Sequence, residues 1–109
     1  MHQLVNLNIG PYTAGEIPAP LSYEFQDANG APLAISGWTA VFAVRKPDGS
    51  TVTLPATISG SSAVHVWADT DLSVAGTYQG EFWVGDGTNR YASRRFVWTV
   101  RDAILIPSI

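Results

Sequence analysis

The arrangement of apolar and polar residues in short alternating runs, each ended by a turn signal, most constrains what this chain can fold into. In one such run Leu21, Tyr23 and Phe25 fall on one side of an extended chain. The run is followed by Asn29-Gly30, a pair that accepts the positive φ angles of tight turns. Turn signals recur about every ten residues, and helical spacing is nearly absent. The pattern therefore predicts an all-β antiparallel sandwich of about seven or eight strands.

Gly, Pro, Asn and Asp residues set the boundaries of the predicted strands. Pro55 favours an edge position or a bulge for its strand, because proline cannot donate to a β ladder. Residues 10–20 predict an extended link, and residues 69–76 predict a corner with room for one helical turn. The predicted strands are residues 4–9, 21–26, 38–45, 51–58, 63–68, 77–84 and 95–101, with a short extended segment at 90–92.

Strand alternation divides the side chains into an inner and an outer set, since a shift of one residue would reverse every side chain. Large apolar residues fall in the outer set, namely Val41, Trp67, Trp83 and Val97. Exposed apolar patches mark contact surfaces, and Trp is enriched at interface hot spots. These four are therefore candidate interface residues, unless a twisted or bulged strand turns some of them inward. The predicted core is Leu21, Tyr23, Phe25, Leu33, Trp38, Phe42, Val44, Leu54, Val64, Val66, Leu72, Tyr78, Phe82, Phe96, Trp98 and Val100.

Composition excludes several classes of protein. The 109 residues suffice for one domain, and a hydrophobic content of 46% with 14% charged residues is too apolar for a disordered chain. Six Lys and Arg face nine Asp and Glu, and they form no concentrated cationic face. We therefore expect no nucleic-acid binding. No apolar run approaches the ~20 residues that span a bilayer, so we expect no membrane association. The absence of Cys favours folding in a reducing cytosol.

The segment 103–109 differs from the rest of the chain because it is almost wholly aliphatic. Ile104, Leu105, Ile106 and Ile109 would be poorly solvated if they were left free. Edge strands pair readily through their backbones, so the segment could add a strand to a partner's sheet. The alternative is that it folds back as an eighth strand of its own sheet. We expect residues 1–102 to form the sandwich and residues 103–109 to form an apolar C-terminal docking tail.

No set of residues for catalysis or metal binding is assembled in this sequence. His2 and His65 are the only histidines, and alternation places His65 on the surface. No Gly-x-Ser-x-Gly elbow or Cys nucleophile accompanies them. Asp69 and Asp71 are interpreted as turn and corner residues, because a calcium site needs about six to eight oxygen ligands. We predict that the chain is not an enzyme and that it holds no metal and no cofactor.

The stretch DLSVAGTY at 71–78 resembles the corner before strand F of immunoglobulin domains. In that family a tyrosine hydroxyl ties the corner to the backbone. Phe25 and Trp38 are spaced like the strand-B cysteine and strand-C tryptophan, and Gly80 stands where the second cysteine would lie. The resemblance implies an immunoglobulin-like antiparallel β-sandwich in which Phe25, Trp38 and Phe82 pack in place of the disulfide.

A second resemblance covers about the first hundred residues. The stretches YEFQDANGAPL at 23–33, SGW at 36–38, FAVRKPDG at 42–49 and AGTYQGEF at 75–82 resemble the immunoglobulin-like N-terminal domain of tailed-phage baseplate upper proteins. This resemblance implies a virion module without catalytic residues, made in the host cytoplasm. It also implies many copies assembled with other virion structural proteins in a symmetric particle.

Two hypotheses from different classes are consistent with these observations. The first is a non-enzymatic structural subunit of a tailed-phage virion, as a head decoration, neck or tail and baseplate component. It would bury Trp67, Trp83 and the apolar tail against neighbouring subunits. The alternative is a carbohydrate-binding or adhesion module on the virion surface, in which the same two tryptophans stack on sugar rings. Sandwich folds host both roles, so the fold alone cannot choose between them.

Overall fold

The computed structural model describes residues 5–109, in which ten β-strands and no helix are found. The predicted all-β class is therefore confirmed. No segment of this described part forms a helix with the length and apolar character needed to cross a membrane. The strands are β1 (Leu7–Asn8), β2 (Tyr12–Thr13), β3 (Leu21–Glu24), β4 (Thr39–Arg45), β5 (Thr51–Pro55), β6 (Thr57–Ser59), β7 (Ser62–His65), β8 (Gly76–Gly85), β9 (Arg90–Ala92) and β10 (Phe96–Arg101).

The ten strands form two sheets with the core between them. The larger sheet has seven strands in the order β1-β10-β8-β4-β5, with β2 also paired to β10 and β9 also paired to β8. The smaller sheet has three strands in the order β3-β7-β6. Pairing is antiparallel except where β1 and β2 run parallel to β10. Side chains of the two sheets meet where Tyr23 packs edge-on against Phe96 at 6.1 Å. The arrangement is a β-sandwich of unequal halves.

Several strand boundaries differ from the predicted ones. The predicted strand 51–58 is two strands, because the chain passes from one sheet to the other at Ala56, next to Pro55. The predicted link 10–20 contains β2. Of the predicted first strand, residues 7–8 pair in the sheet, while Leu4, like His2, lies outside the described residues. The corner at 69–76 contains turns and no helix.

Aromatic rings fill the centre of the core around Phe42. Phe42 stacks on Phe82 at 4.5 Å and on Trp98 at 5.9 Å between ring centres. A Cβ atom at Gly80 would lie 2.8 Å from Cζ of Phe42 and 2.9 Å from Cη2 of Trp98. Glycine is therefore required at this position of β8, because two rings occupy the space that a side chain would need. Trp98 Nε1 is buried without a hydrogen-bond partner among the described residues.

The predicted core is right in most positions and wrong on β7. Val66 is 66% exposed, whereas Ala63 and His65 are buried, so alternation on β7 is shifted by one residue. Trp38 is half-buried, packs against the core and stacks on Tyr91 at 5.8 Å. The predicted core residues that are fully buried are Phe25, Phe42, Val44, Leu72, Tyr78, Phe82, Phe96, Trp98 and Val100. Those that are half-buried are Leu21, Tyr23, Leu33, Trp38, Leu54 and Val64.

The corner between β7 and β8 is closed by a tyrosine. Tyr78 Oη donates a hydrogen bond of 2.6 Å to the carbonyl oxygen of Val74. Burial raises the pKa of the Tyr78 phenol. The sequence-based expectation that this hydroxyl ties the corner to the backbone is met by this contact.

Candidate functional site

The outer face of the seven-stranded sheet carries an apolar row that crosses four strands. Pro55 on β5 is the register partner of Val41 on β4, and Val41 is the partner of Trp83 on β8. Trp83 in turn pairs with Ala92 on β9. Register partners point to the same face of a sheet, so these four side chains lie side by side. Trp83 is 37% exposed near the middle of the set, which we call the outer row.

Polar groups border the outer row and orient its indole. Trp83 Nε1 donates a hydrogen bond of 3.1 Å to Oε1 of Glu81. A guanidinium nitrogen of Arg95 lies 3.6 Å from the other carboxylate oxygen of Glu81. Further along the face, Arg45 donates to Oε1 of Gln79 at 3.2 Å. Exposed ion pairs contribute about 0–1 kcal/mol to stability, so the main effect of Glu81 and Arg95 is to fix the position of the Trp83 ring.

A groove of ≈ 680 Å³ opens beside Trp83 at the β8–β9 turn. At its edge, Oδ1 of Asp86 accepts the backbone amides of Asn89 at 2.7 Å and Thr88 at 2.9 Å. These hydrogen bonds lower the pKa of Asp86, so its carboxylate is ionised at neutral pH. Such a groove can take a ligand with an apolar face and several hydroxyl groups. The side chains that line it include Trp83, Asp86, Thr39, Thr88 and Arg90.

The prediction that Trp67 faces outward is wrong. Trp67 is 4% exposed, and its ring meets Phe42, Trp98 and Tyr12 at 5.7–6.2 Å between ring centres. Alternation continues past the end of β7, with Ala63, His65 and Trp67 buried and Val66 exposed, so the prediction assigned the inner and outer sets of this strand the wrong way round. Trp67 therefore stabilises the core and offers no contact surface.

The prediction that His65 lies on the surface is also wrong, because this side chain is 1% exposed. Its Nδ1 lies 2.7 Å from the carbonyl oxygen of Pro55, and its Nε2 lies 2.9 Å from Oδ2 of Asp71. A carbonyl oxygen only accepts, so Nδ1 carries a hydrogen. The same Asp71 oxygen accepts the amide of Ala68 at 2.8 Å. Asp71 thus anchors His65 and Ala68, which stand on either side of Val66 and Trp67.

The other two candidate residues on the sheet are half-buried. Val41 belongs to the outer row. Val97 on β10 is the register partner of Gln79, four residues before Trp83 along β8, so it lies on the same face but outside the row. Pro55 and Ala92 were not predictable from the sequence, since only the register between strands brings them beside Trp83.

The tail residues are exposed and belong to no strand. Ile104 and Ile109 are fully exposed, and Leu105 and Ile106 are largely exposed. The Ile106 side chain lies beside Gly15, where an added Cβ would be 2.9 Å from its Cδ1. The alternative that the tail forms an eighth strand of its own sheet is not what the structure adopts.

The buried polar groups of residues 5–109 are bonded within the fold. Within residues 5–109, no three His, Asp or Glu side chains converge to hold a metal ion. His65 and Asp71 are enclosed by the core and bonded to each other and to the backbone. Ser93, which sequence analysis also missed, accepts the amide of Phe82 at 2.8 Å and donates to the Arg94 carbonyl at 2.7 Å. Its hydroxyl joins β8 to the link before β10.

No protein-family model and no curated protein matches this chain. Among solved structures, the chain is similar to a family 123 glycoside hydrolase from Clostridium perfringens, with 16% sequence identity and a TM-score of 0.29. The alignment covers 84% of this chain and 20% of that one. A likeness at this level carries no argument about fold or function.

Proposed function

We propose that this chain is an immunoglobulin-like structural subunit of a tailed-phage virion and that it acts through protein–protein assembly. The observation that carries the assembly role is the outer row, where Trp83 stands exposed among Pro55, Val41 and Ala92. The virion setting rests on the sequence resemblance to baseplate upper proteins. The exposed tail adds a second apolar surface.

Two features support the immunoglobulin-like part of this proposal. The order β10-β8-β4-β5 facing β3-β7-β6 matches the G-F-C-C′ and B-E-D order of immunoglobulin sandwiches. The bond from Tyr78 to the Val74 carbonyl matches the tyrosine corner of that family. Gly80 leaves room for the rings of Phe42 and Trp98 where the family has a cysteine, so aromatic packing takes the place of the disulfide.

The chemistry of the outer face supports protein contact. An exposed Trp flanked by small or apolar residues is typical of the centre of an interface, and a surrounding polar ring is typical of its rim. A standard interface buries about 800 Å² per partner, and the broad face of the larger sheet offers a surface of this kind. Several weak contacts of this type gain strength when many copies bind one symmetric particle.

Mass spectrometry of purified particles of the phage that carries the gene tests this proposal. We expect the wild-type chain in the particles and a strongly reduced amount of a Trp83→Arg variant, because a guanidinium in the outer row must be desolvated on contact. Thr99→Arg, on the same face but outside the row, is the matched control and should incorporate normally. Absence of the wild-type chain from purified particles would refute the virion role.

The groove beside Trp83 favours a second candidate function, carbohydrate binding. An exposed indole can stack on a sugar ring while Asp86 and Arg90 bind its hydroxyl groups. A glycan array with the wild-type chain and the Trp83→Ala and Asp86→Asn variants tests this candidate. Binding that both substitutions remove would support it, and an array without wild-type binding would discard it.

A further inference from the structure

The smaller sheet leaves one side of the sandwich uncovered. Three strands face a sheet of seven, and β3 has a strand partner on only one side, β7, among the described residues. Inward-facing residues at this flank are therefore only half-buried. Tyr23 contacts Phe96 on β10, and the register partner of Phe96 on the neighbouring strand β1 is Leu7. Leu7, Tyr23 and Leu21 are half-buried although each packs against the core.

The edge of β3 that faces away from β7 also carries backbone groups with which a further strand can pair. The amide of Phe25 donates to the Ser61 carbonyl at 2.9 Å, on the side of β7. Amides alternate sides along a strand, so those of Leu21 and Tyr23 also face β7. The N–H and C=O groups of Ser22 and Glu24 consequently point to the open side. A fourth strand placed there would pair with them and cover the half-buried residues.

The tail has the properties of such a strand. Ile104, Leu105 and Ile106 are exposed, β-favouring and followed by Pro107, which ends a strand. The three residues before Pro107 are long enough to lie along Leu21, Ser22 and Tyr23 of β3. In its own molecule the tail contacts Gly15 and pairs with none of the ten described strands.

We propose that the tail of one copy adds as a strand to the open edge of β3 in a second copy. This inference rests on the proposed assembly role and names its partner, a second copy of this chain. Ile104 and Ile106 would face the core of the acceptor beside Leu21 and Tyr23, while Leu105 would face solvent beside Ser22. Donation from one copy to the next in turn produces rings or open chains of subunits, and reciprocal donation between two copies produces a closed dimer.

Light scattering and sedimentation of the purified chain over a dilution series measure this association. We expect concentration-dependent oligomers of the full chain and a monomer when the chain is cut after Asp102. In a paired strand successive side chains point to opposite faces. Ile106→Ser should therefore abolish the oligomer, because Ile106 faces the acceptor's core, whereas Leu105→Ser should leave most of it, because Leu105 faces solvent. Equal loss by both would indicate non-specific apolar contact and would overturn strand addition, as would a full chain that stays monomeric.

Cysteine trapping tests the register directly, because the natural chain has no Cys. Copies carrying Ser22→Cys are mixed with isotopically labelled copies carrying Leu105→Cys and oxidised. We expect mixed disulfides between labelled and unlabelled chains, whereas the exposed control Ser73→Cys in place of Ser22→Cys should give few. Equal yields from both would overturn the proposed register.

These experiments separate the inference from the proposed function. Trp83→Arg should leave tail exchange in solution intact, because the outer row lies on the other sheet. If the chain enters particles but its tail does not exchange, the inference fails and the assembly role stands. If tail exchange occurs in a chain that is absent from particles, the proposed function fails instead.

Discussion

Trp67 and Trp83 occupy equivalent positions in the sequence pattern and opposite environments in the molecule. Both fall in the outer set by alternation, yet Trp67 is 4% exposed and Trp83 is 37% exposed. Trp83 lies inside β8, where the ladder enforces alternation over ten residues. Trp67 continues the inward set of Ala63 and His65, because the inner and outer sets on this strand are the reverse of those predicted. Alternation therefore separates the two faces of a strand, but it does not decide which face is buried.

The largest expected effect is the loss of stability on replacing the buried tryptophan. Trp67→Ala should lower the free energy of unfolding by about 3–5 kcal/mol, because the cavity would lie among Phe42, Trp98 and Tyr12. Val66→Ala is the matched control next to it and, being exposed, should cost less than about 0.5 kcal/mol. Denaturant unfolding measures both. Similar costs for the two variants would mean that the segment after β7 is turned the other way.

A second prediction concerns the carboxylate that holds this segment. Asp71→Ala removes the carboxylate that His65 Nε2 and the Ala68 amide both contact. A buried polar group left without a partner costs about 1–3 kcal/mol of stability, so the free energy of unfolding should fall by about this amount. Asp69→Ala, which removes an exposed carboxylate nearby, should be close to neutral. Tryptophan fluorescence of the folded Asp71→Ala variant should shift to longer wavelength as Trp67 becomes more hydrated. An unchanged spectrum and stability would show that packing alone positions Trp67.

Part of the fold was predictable from the sequence because it depends on local patterns. Alternation placed Phe42 and Val44 on β4, and Phe96 and Trp98 on β10, correctly in the core. The passage of the chain between sheets at Ala56 depends on long-range pairing that no local pattern encodes. Prediction of the outer row likewise requires the register of four strands. Its centre, Trp83, was predictable, but its neighbours Pro55 and Ala92 were not.

A third prediction separates packing from hydrogen bonding at the corner that follows Trp67. Tyr78→Phe keeps the ring stacked on Trp98 at 5.6 Å and removes the hydroxyl bonded to Val74, so it should cost about 0.5–1.5 kcal/mol. The pKa of Tyr78 is raised in the folded state, so its ionisation does not lower the stability of the fold below the pKa of the unfolded chain, about 10. Above that pH the contribution of the neutral phenol to stability begins to decrease. It is lost as the pH rises through the raised pKa. The alkaline loss of stability should therefore be smaller in Tyr78→Phe than in the wild type, and equal losses would contradict this account.

The smallest expected effect on stability belongs to the exposed tryptophan. Trp83→Ala removes a ring that is bonded to Glu81 at the surface, so the free energy of unfolding should change by less than about 1 kcal/mol. Its effect on assembly should be large, because truncating an interface Trp often costs about 2 kcal/mol or more of binding energy. Unfolding curves and the amount of chain in purified particles, measured on the same preparation, test both halves. A variant that is unstable and still assembles would contradict both halves of this prediction. It would show that Trp83 stabilises the fold and that the outer row makes no contact in the particle.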